Sequence, residues 1–160
     1  MTIIGDASSL ILLAKVDLLE TFASRNKIII PELVYKEVIK GKDRGRSDGF
    51  LVERLVSEKK LLVKLSKKAA KSRIESMYGL RGGELEVIAL ALDENHDVLT
   101  DDKRCMNVAK ALNIYFITSL DVIISMRKKG VIGREKALEC LADMEEYGWY
   151  SKKSSRAIWR

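Results

Sequence analysis

Short apolar runs alternate with helical stretches along most of this 160-residue chain, and the alternation constrains the fold more than any other feature. The strand-like runs are brief, and the stretches between them place apolar residues three and four positions apart. Strands that alternate with helices imply a mostly parallel sheet covered on both faces. We therefore expect an α/β fold, a three-layer α/β/α arrangement with a mostly parallel central sheet. The predicted strands end near residues 6, 30, 65, 100 and 117.

The length fits a single domain, which we place at residues 1–146, followed by a basic and aromatic tail at 147–160. The tail contains two tryptophans and several Lys and Arg side chains, with no acid after Glu146. No apolar run approaches the ~18 residues that a membrane span requires, so no membrane association is expected. The apolar opening stretch lacks a basic start and a cleavage site, and is expected to be part of the fold.

The supply of soft metal ligands is small. His96 is the only histidine, and Cys105 and Cys140 lie far apart, so a structural zinc site is not expected. The two cysteines are expected to be buried thiols in a reducing cytoplasm. The net charge of +6 suits a polyanionic partner such as nucleic acid, although charge alone is weak support.

Acidic residues fall where strands end and helices begin. Asp6 ends the first strand, and Asp101 and Asp102 follow the strand that ends near residue 100. In an open parallel sheet, ligands bind in the crevice at the carboxyl ends of the strands. Glu84 begins a helix that points to the same edge, and Glu37 lies about two turns into the helix after the second strand. We expect these acids to converge.

A cluster of carboxylates needs either protons or a cation. Two carboxylates about 4 Å apart repel each other by roughly 4 kcal/mol at an effective dielectric constant of ~20. Oxygen ligands without His or Cys favour Mg²⁺ or Mn²⁺, which can activate water and polarise a phosphodiester. Each acid also has a simpler interpretation: Asp6 and Asp101 as helix caps, Glu84 as a partner of the helix dipole, and Glu37 as a solvated helix residue.

Four segments, in order and spacing, give the chain a resemblance to PIN domains. The first two are Gly5-Asp6-Ala7-Ser8-Ser9-Leu10 and Ile28 to Pro31 followed by Val34-Tyr35-Lys36-Glu37-Val38. The others are Gly83-Glu84-Leu85-Glu86-Val87-Ile88-Ala89-Leu90-Ala91 and Val98-Leu99-Thr100-Asp101-Asp102-Lys103. Each motif is short, but with Ala109, Leu112 and the predicted helix from Thr118 to Gly130 the resemblance runs from about residue 2 to 130. It is to a prokaryotic branch related to toxin–antitoxin ribonucleases.

The resemblance implies a ribonuclease that depends on Mg²⁺ or Mn²⁺. Asp6, Glu37 and Glu84 match the first three family acids, and the fourth is either Asp101 or Asp102. Of these, the expected metal ligands are Asp6, Glu84, Asp101 and Asp102. Ser8 and Thr100 match small polar positions near the metal, where a hydroxyl can hold a carboxylate or a water.

The expected substrate is RNA, single-stranded or structured, and the expected role is an endoribonuclease, which could be the toxin held by an antitoxin protein. The resemblance also makes a homodimer the default. The alternative function is a nucleic-acid-binding or scaffold protein with a vestigial metal site; a phosphatase or DNA nuclease is a third option. Basic residues that could contact RNA phosphates, or equally form a solvated face, are Arg44, Arg46, Lys67, Lys68, Lys71 and Arg73.

Overall fold

The structure is a computed structural model, and it describes residues 1–44 and 47–147. The chain forms two compact units, Met1–Thr118 and Ser119–Arg160. The strands all lie in the first unit: β1 Thr2–Gly5, β2 Lys27–Pro31, β3 Leu61–Lys64, β4 Asp97–Leu99 and β5 Phe116–Ile117.

Helices connect the strands of the first unit. In chain order, they are α1 Ala7–Lys15, α2 Leu19–Arg25, α3 Glu32–Lys40, α4 Ser47–Ser57, α5 Lys68–Tyr78, α6 Gly82–Glu94 and α7 Lys103–Ala111. A short 3-10 helix, Gly41–Arg44, follows α3.

The five strands form one sheet in the order β3-β2-β1-β4-β5, and every neighbouring pair is parallel. The chain therefore begins in the middle of the sheet, adds β2 and β3 on one side, and then returns to add β4 and β5 on the other. The order reverses between β1 and β4. In such a sheet the crevice outside the carboxyl ends of these two strands is the expected ligand site.

The helices fall into two layers because crossovers between parallel strands are right-handed. Helices α1 to α4 lie on the β1-β2-β3 crossovers and pack against one another, whereas α5, α6 and α7 lie on the crossovers that return through β4 to β5. Because the chain crosses the sheet in one direction from β1 to β3 and in the other from β3 to β5, these two sets of helices lie on opposite faces of the sheet. The expected α/β class, with three α/β/α layers and a parallel sheet, is confirmed.

The central strands are buried on both faces, as the three-layer arrangement requires. Ile3 and Ile4 of β1 and the run from Ile28 to Ile30 of β2 are fully inaccessible to solvent. A continuous rather than alternating apolar run is typical of a parallel strand with helices above and below it. Each Å² of buried apolar surface stabilises the fold by about 25 cal/mol. This burial fixes the register of the strands, and the register positions the strand ends.

The apolar spacing from Leu10 to Phe22 predicts one helical stretch, but this prediction is wrong because the structure forms two helices there. Asp17 adopts a left-handed conformation with φ of 61°. Its N–H donates to the carbonyl of Ala14, and the N–H of Leu18 donates to that of Leu13. This pair of bonds is a Schellman motif, which ends α1 before α2 begins.

The apolar run at 114–117 predicts a fifth strand of four residues, but the observed strand is shorter. Asn113 is left-handed with φ of 57°, and the N–H of Ile114 donates to the carbonyl of Ala109. The backbone at 113–114 therefore satisfies the end of α7 instead of the sheet. Only Phe116 and Ile117 have strand geometry.

The second unit contains α8 Ser119–Lys128 and α9 Arg134–Glu146, which pack against each other. Their inward residues include Val122, Ile123, Cys140 and Met144. The predicted tail at 147–160 lies, except for Tyr147, outside the described residues. Within the described ranges no helix is long and apolar enough to cross a bilayer.

Candidate active site

Asp6 is buried at the carboxyl end of β1, with 3% of its surface exposed. It caps α1: its Oδ1 accepts hydrogen bonds from the backbone N–H of Ser9 at 2.9 Å and from Ser8 Oγ at 3.1 Å. Its Oδ2 accepts a short hydrogen bond from Thr100 Oγ1. The register of β1 against β4 places Asp6 opposite Thr100, so pairing of the central strands creates this contact.

The two aspartates after β4 have different environments. Asp102 caps α7 by accepting the N–H of Cys105 at 2.8 Å, and its own N–H donates to Thr100 Oγ1 at 3.1 Å. Asp101 instead accepts a hydrogen bond from Ser9 Oγ at 2.7 Å. Asp102 lines the cleft at this edge of the sheet, whereas Asp101 does not line it and bonds the buried Ser9. This geometry favours Asp102 as the fourth site acid.

Helices α3 and α6 complete the cleft, which has a volume of about 340 Å³. Glu84 lies in the first turn of α6. Glu37 reaches across from α3, with its carboxylate against Gly83, where the β-carbon of any larger residue would lie 2.8 Å from a Glu37 oxygen. The absence of a side chain at Gly83 therefore allows this approach. The lining residues are Asp6, Ala7, Ser8, Glu37, Arg81, Gly82, Gly83, Glu84 and Asp102.

The cleft raises the pKa values of Asp6, Glu37 and Glu84. Burial is the main cause at Asp6, opposed by the hydrogen bonds from Thr100 and Ser9, with nearby Asp101 raising the pKa further. Burial also raises the pKa of Glu84, and the negative charges of Asp102 and Asp6 add to the increase. These groups are close enough to resist simultaneous ionisation.

Glu37 is affected differently. Much of its side chain is exposed on α3, but its carboxylate faces the cleft, where desolvation raises its pKa and a hydrogen bond from the backbone N–H of Gly83 lowers it. Its contact with Gly83 joins α3 to α6 at the carboxyl edge of the sheet.

Three residues of this site are not predicted by the sequence patterns as parts of it. The patterns indicate Ser9 only as a possible helix cap and Gly83 only as part of a chain break, and they do not single out Arg81. A signal existed for the glycine, because a small residue beside a catalytic-type Glu indicates close approach. The roles of Ser9 and Arg81 depend on tertiary packing that no local pattern encodes.

The site suits hard cations and not cysteine chemistry. Carboxylate oxygens from Asp6, Glu84 and Asp102 are ligands that Mg²⁺ and Mn²⁺ prefer, and their mutual repulsion would be relieved by a cation. Within residues 1–44 and 47–147, however, no three Asp, Glu, His or Cys groups are already arranged to hold a metal. The buried Cys105 thiol has its pKa raised to about 12, so it is not a nucleophile. Cys105 and Cys140 are buried thiols that are not joined in a disulfide, as expected.

Of the candidate RNA-contacting residues, Lys67, Lys68, Lys71 and Arg73 do not line the cleft. Lys67, Lys68 and Arg73 are exposed at and along α5. Lys71 forms an ion pair with Glu86 at 3.0 Å, so part of its charge is already neutralised. Arg44 belongs to the 3-10 helix, and Arg46 lies outside the described residues.

A parallel sheet in this order, with carboxylates at its switch point, defines the chain as a PIN-like α/β domain. A family model described as DUF3368, PIN domain, matches residues 2–158. The chain therefore belongs to the PIN-domain family. PIN domains are generally nucleases and usually depend on divalent metal ions. No curated protein matches the sequence.

Solved structures share the fold at low sequence identity. PAE2754 from Pyrobaculum aerophilum is 18% identical, with a TM-score of 0.56, covering 79% of this chain and 98% of its own. VapBC2 from Rickettsia felis, bound to a DNA fragment from its promoter, is 13% identical, with a TM-score of 0.52 and coverage of 74% and 98%. The PilT N-terminus domain protein SSO1118 from Sulfolobus solfataricus P2 is 18% identical, with a TM-score of 0.52 and coverage of 79% and 94%.

Proposed function

We propose that the protein is a Mg²⁺- or Mn²⁺-dependent endoribonuclease that hydrolyses single-stranded or structured RNA. The observation that carries the proposal is the shared cleft of Asp6, Glu84 and Asp102 at the β1/β4 switch point. Burial and neighbouring negative charges disfavour the charged forms of Asp6 and Glu84, and a bound divalent cation would offset both effects. Membership of the PIN-domain family supports the nuclease class.

The reaction is phosphodiester hydrolysis. Water adds its oxygen to phosphorus, the bond from phosphorus to the leaving oxygen breaks, and the proton lost by the water is balanced by the proton that the leaving oxygen gains. A bound divalent cation would supply Lewis acidity toward the phosphate and lower the pKa of water in the site. Asp6, Glu84 and Asp102 would hold it, with Glu37 beside them.

The remaining polar groups act on the carboxylates. Ser8 and Thr100 donate hydrogen bonds to Asp6, which fixes the direction of its two oxygens. Ser9 holds Asp101 in the same way. Asp101 therefore adds negative charge near Asp6 without lining the cleft. Groups that orient ligands in this manner typically change metal affinity or activity by about 10- to 100-fold.

Glu84→Gln tests the assignment most directly. The purified protein is incubated with single-stranded RNA and Mn²⁺, with and without a chelator, alongside Glu75→Gln as a matched control from an exposed position on α5. We expect chelator-sensitive cleavage by the wild type and by Glu75→Gln, and none by Glu84→Gln. Equal cleavage by Glu84→Gln and the wild type would show that the assigned site is wrong.

Further parts of the proposal concern partners and location. Lys67, Lys68 and Arg73, which are exposed at and along α5, are proposed to contact RNA phosphates along the path to the cleft. A likeness in fold to VapBC2 supports an antitoxin partner, with this chain as the toxin. We also propose a homodimer, which sedimentation would test, and a cytoplasmic location, which two buried cysteines outside any disulfide fit. Growth arrest on expression, relieved by a protein encoded beside it, would test the toxin role.

A second candidate is a nucleic-acid-binding or scaffold protein with a vestigial metal site. The observation in its favour is that no three candidate ligands in the described ranges already form a metal-binding group. Calorimetry separates the two candidates. Binding of Mn²⁺ that disappears in Glu84→Gln supports the nuclease, whereas absence of Mg²⁺ and Mn²⁺ binding together with retained RNA binding supports the scaffold. A panel of RNA, DNA and phosphomonoester substrates separates RNA cleavage from DNA cleavage and phosphatase activity.

A further inference from the structure

One cation lines the carboxylate cleft among the described residues, and it is Arg81. It is the residue immediately before α6, with extended backbone at φ of −137° and ψ of 166°. The preceding Leu80 is buried, with 1% of its surface exposed, which anchors the chain on that side. Gly82, which follows with φ of 63°, turns the backbone into the helix. The base of the Arg81 side chain is therefore held at the rim of the cleft.

Arg81 does not form an ion pair with the acids around it. Four carboxylates line the same cleft, yet within residues 1–44 and 47–147 its exposed guanidinium has no hydrogen bond or ion pair. Arg104, by contrast, donates to the carbonyl of Gly79 at 3.3 Å, and its charge lowers the pKa of Glu84. Of the two arginines, Arg81 is the one whose donors are available to a ligand.

A phosphate group approaching this cleft meets an unfavourable field. Its negative charge faces Asp6, Glu37, Glu84 and Asp102, which any bound cation neutralises only in part. A guanidinium presents a planar pair of donors that matches two oxygens of a phosphate, and it stays charged at every relevant pH. The N-terminal end of α6 adds a favourable dipole at the same place, where the N–H of Gly83 already bonds the Glu37 carboxylate and Arg81, the residue at the N-cap, makes no capping bond of its own.

We propose that Arg81 binds the non-bridging oxygens of the RNA backbone phosphate in the cleft and orients it for hydrolysis. The inference deepens the proposed endoribonuclease activity and rests on it. Arg81 acts on the substrate and not on the metal, so its removal should affect RNA binding and turnover while the carboxylates keep their cation affinity. Lysine would restore the charge but not the paired donors.

The test compares Arg81→Gln and Arg81→Lys with Arg25→Gln, a matched control at an exposed position at the end of α2. The kinetic constants are measured on a mixed-sequence single-stranded oligoribonucleotide with Mn²⁺. Affinity for the same RNA is measured with Ca²⁺ in place of Mn²⁺, and Mn²⁺ affinity by calorimetry without RNA. Thermal unfolding of each variant verifies that it is folded.

We expect Arg81→Gln to lower kcat/KM by about 100-fold, the scale typical of one lost charge-stabilising donor, and Arg81→Lys by about 10-fold. RNA affinity in Ca²⁺ should fall with Arg81→Gln, while Mn²⁺ affinity stays at or above that of the wild type. Arg81→Gln matching Arg25→Gln in both RNA affinity and kcat/KM would overturn the inference. Lost Mn²⁺ binding in Arg81→Gln would also overturn it, by making Arg81 a structural support of the carboxylates.

The two proposals fail in different ways. A wild-type protein that binds RNA through Arg81 but does not cleave it would overturn the endoribonuclease and leave the phosphate contact in place. A wild-type protein that cleaves RNA equally well with glutamine at position 81 would overturn only the phosphate contact. A wild type that neither binds nor cleaves RNA would overturn both.

Discussion

Two carboxylate clusters in this protein respond to their surroundings in opposite directions. On the surface, Glu20 accepts from Arg54 at 2.9 Å and from Lys60 at 3.2 Å, and the same two cations pair with Glu58. Hydrogen bonds from Arg54 and Lys60 lower the pKa of Glu20 to about 2. In the cleft, burial and neighbouring acids raise the pKa values of Asp6 and Glu84.

The opposite pKa shifts distinguish carboxylates that are paired with cations inside the protein from carboxylates that have charge available to a ligand. We call Glu20, Arg54, Glu58 and Lys60 the surface ion network; it contains its own counter-charges and needs no further partner. Exposed pairs of this kind contribute little to stability. The cleft contains more negative than positive charge, and a fold that retains such a site gives up stability for a function.

The largest expected effect distinguishes the two aspartates after β4. Asp102→Asn should reduce RNA cleavage by more than about 100-fold because it removes a cleft carboxylate, whereas Asp101→Asn should cost about 10-fold by disturbing the contact with Ser9. Cleavage rates at saturating Mn²⁺ measure both. The reverse ranking would mean that the side chain held by Ser9 turns into the cleft when metal binds.

Thermal unfolding should give opposite signs for the two clusters. Wild-type protein should gain about 5–10 °C in Tm at a Mn²⁺ concentration ~100 times Kd, because the cation binds only the folded state. Glu84→Gln should raise the Tm of the metal-free protein, by removing repulsion, and abolish the gain. Glu20→Gln should lower the metal-free Tm by about 1–2 °C and keep the gain. Equal responses of the two variants would remove the distinction between the clusters.

Two glycines offer a smaller comparison between activity and stability. Gly83→Ala should displace the Glu37 carboxylate from α6, lowering cleavage by about 10-fold while the Tm stays almost unchanged, because a flexible side chain can move away. Gly79→Ala should do the opposite. Its φ of 67° is strained for alanine at a cost of about 1 kcal/mol, but nothing packs against that position. Rates and melting curves of both variants test the pair.

The smallest effects should appear in the pH dependence of stability. A raised pKa in the folded state makes the cleft carboxyl groups stabilising when protonated, so their contribution is lost as pH rises from about 4 through the raised folded values. The lowered pKa of Glu20 gives a contribution that is present above its ordinary value and is lost as pH falls toward about 2.

Melting curves from about pH 2 to about pH 8 test this difference. The Tm gain from Mn²⁺ should increase over that range, because metal binding requires deprotonated carboxylates and releases their protons. A gain that is constant with pH would show that the cleft acids do not bind the cation. Glu20→Gln should change only the acidic limb of the profile.

The sequence predicted the sheet and most of the acids because both depend on local or periodic signals. The apolar run from Ile28 to Ile30 predicts a doubly covered strand, and an acid directly after such a run lies at the ligand edge. The reversal between β1 and β4 was not predicted from periodicity, but it is what brings Asp6 and Asp102 together. Family resemblance, not spacing, selected Glu37.

The features that the sequence left unresolved depend on hydrogen bonds at the ends of helices and on contacts between distant parts of the chain. The sequence left the fourth acid open between Asp101 and Asp102, because the family motif can be aligned on either; in the structure Asp102 lines the cleft and Asp101 bonds Ser9 from a distant part of the chain. Left-handed Asp17 ended a helix that hydrophobic spacing alone would continue. Arg81 was missed because a single basic residue has no local signal until the cleft is assembled.

The cleft acids come from β1, α3, α6 and the end of β4, and this has a consequence during synthesis of the chain. A nascent polypeptide that has emerged only as far as β3 contains Asp6 and Glu37 but neither Glu84 nor Asp102. Even with all four present, β1 must accept β4 as its neighbour before Thr100 reaches Asp6. The proposed activity would therefore appear late, in one step, when β4 pairs with β1. The ribosome that synthesises the chain would be exposed to that activity only after this pairing.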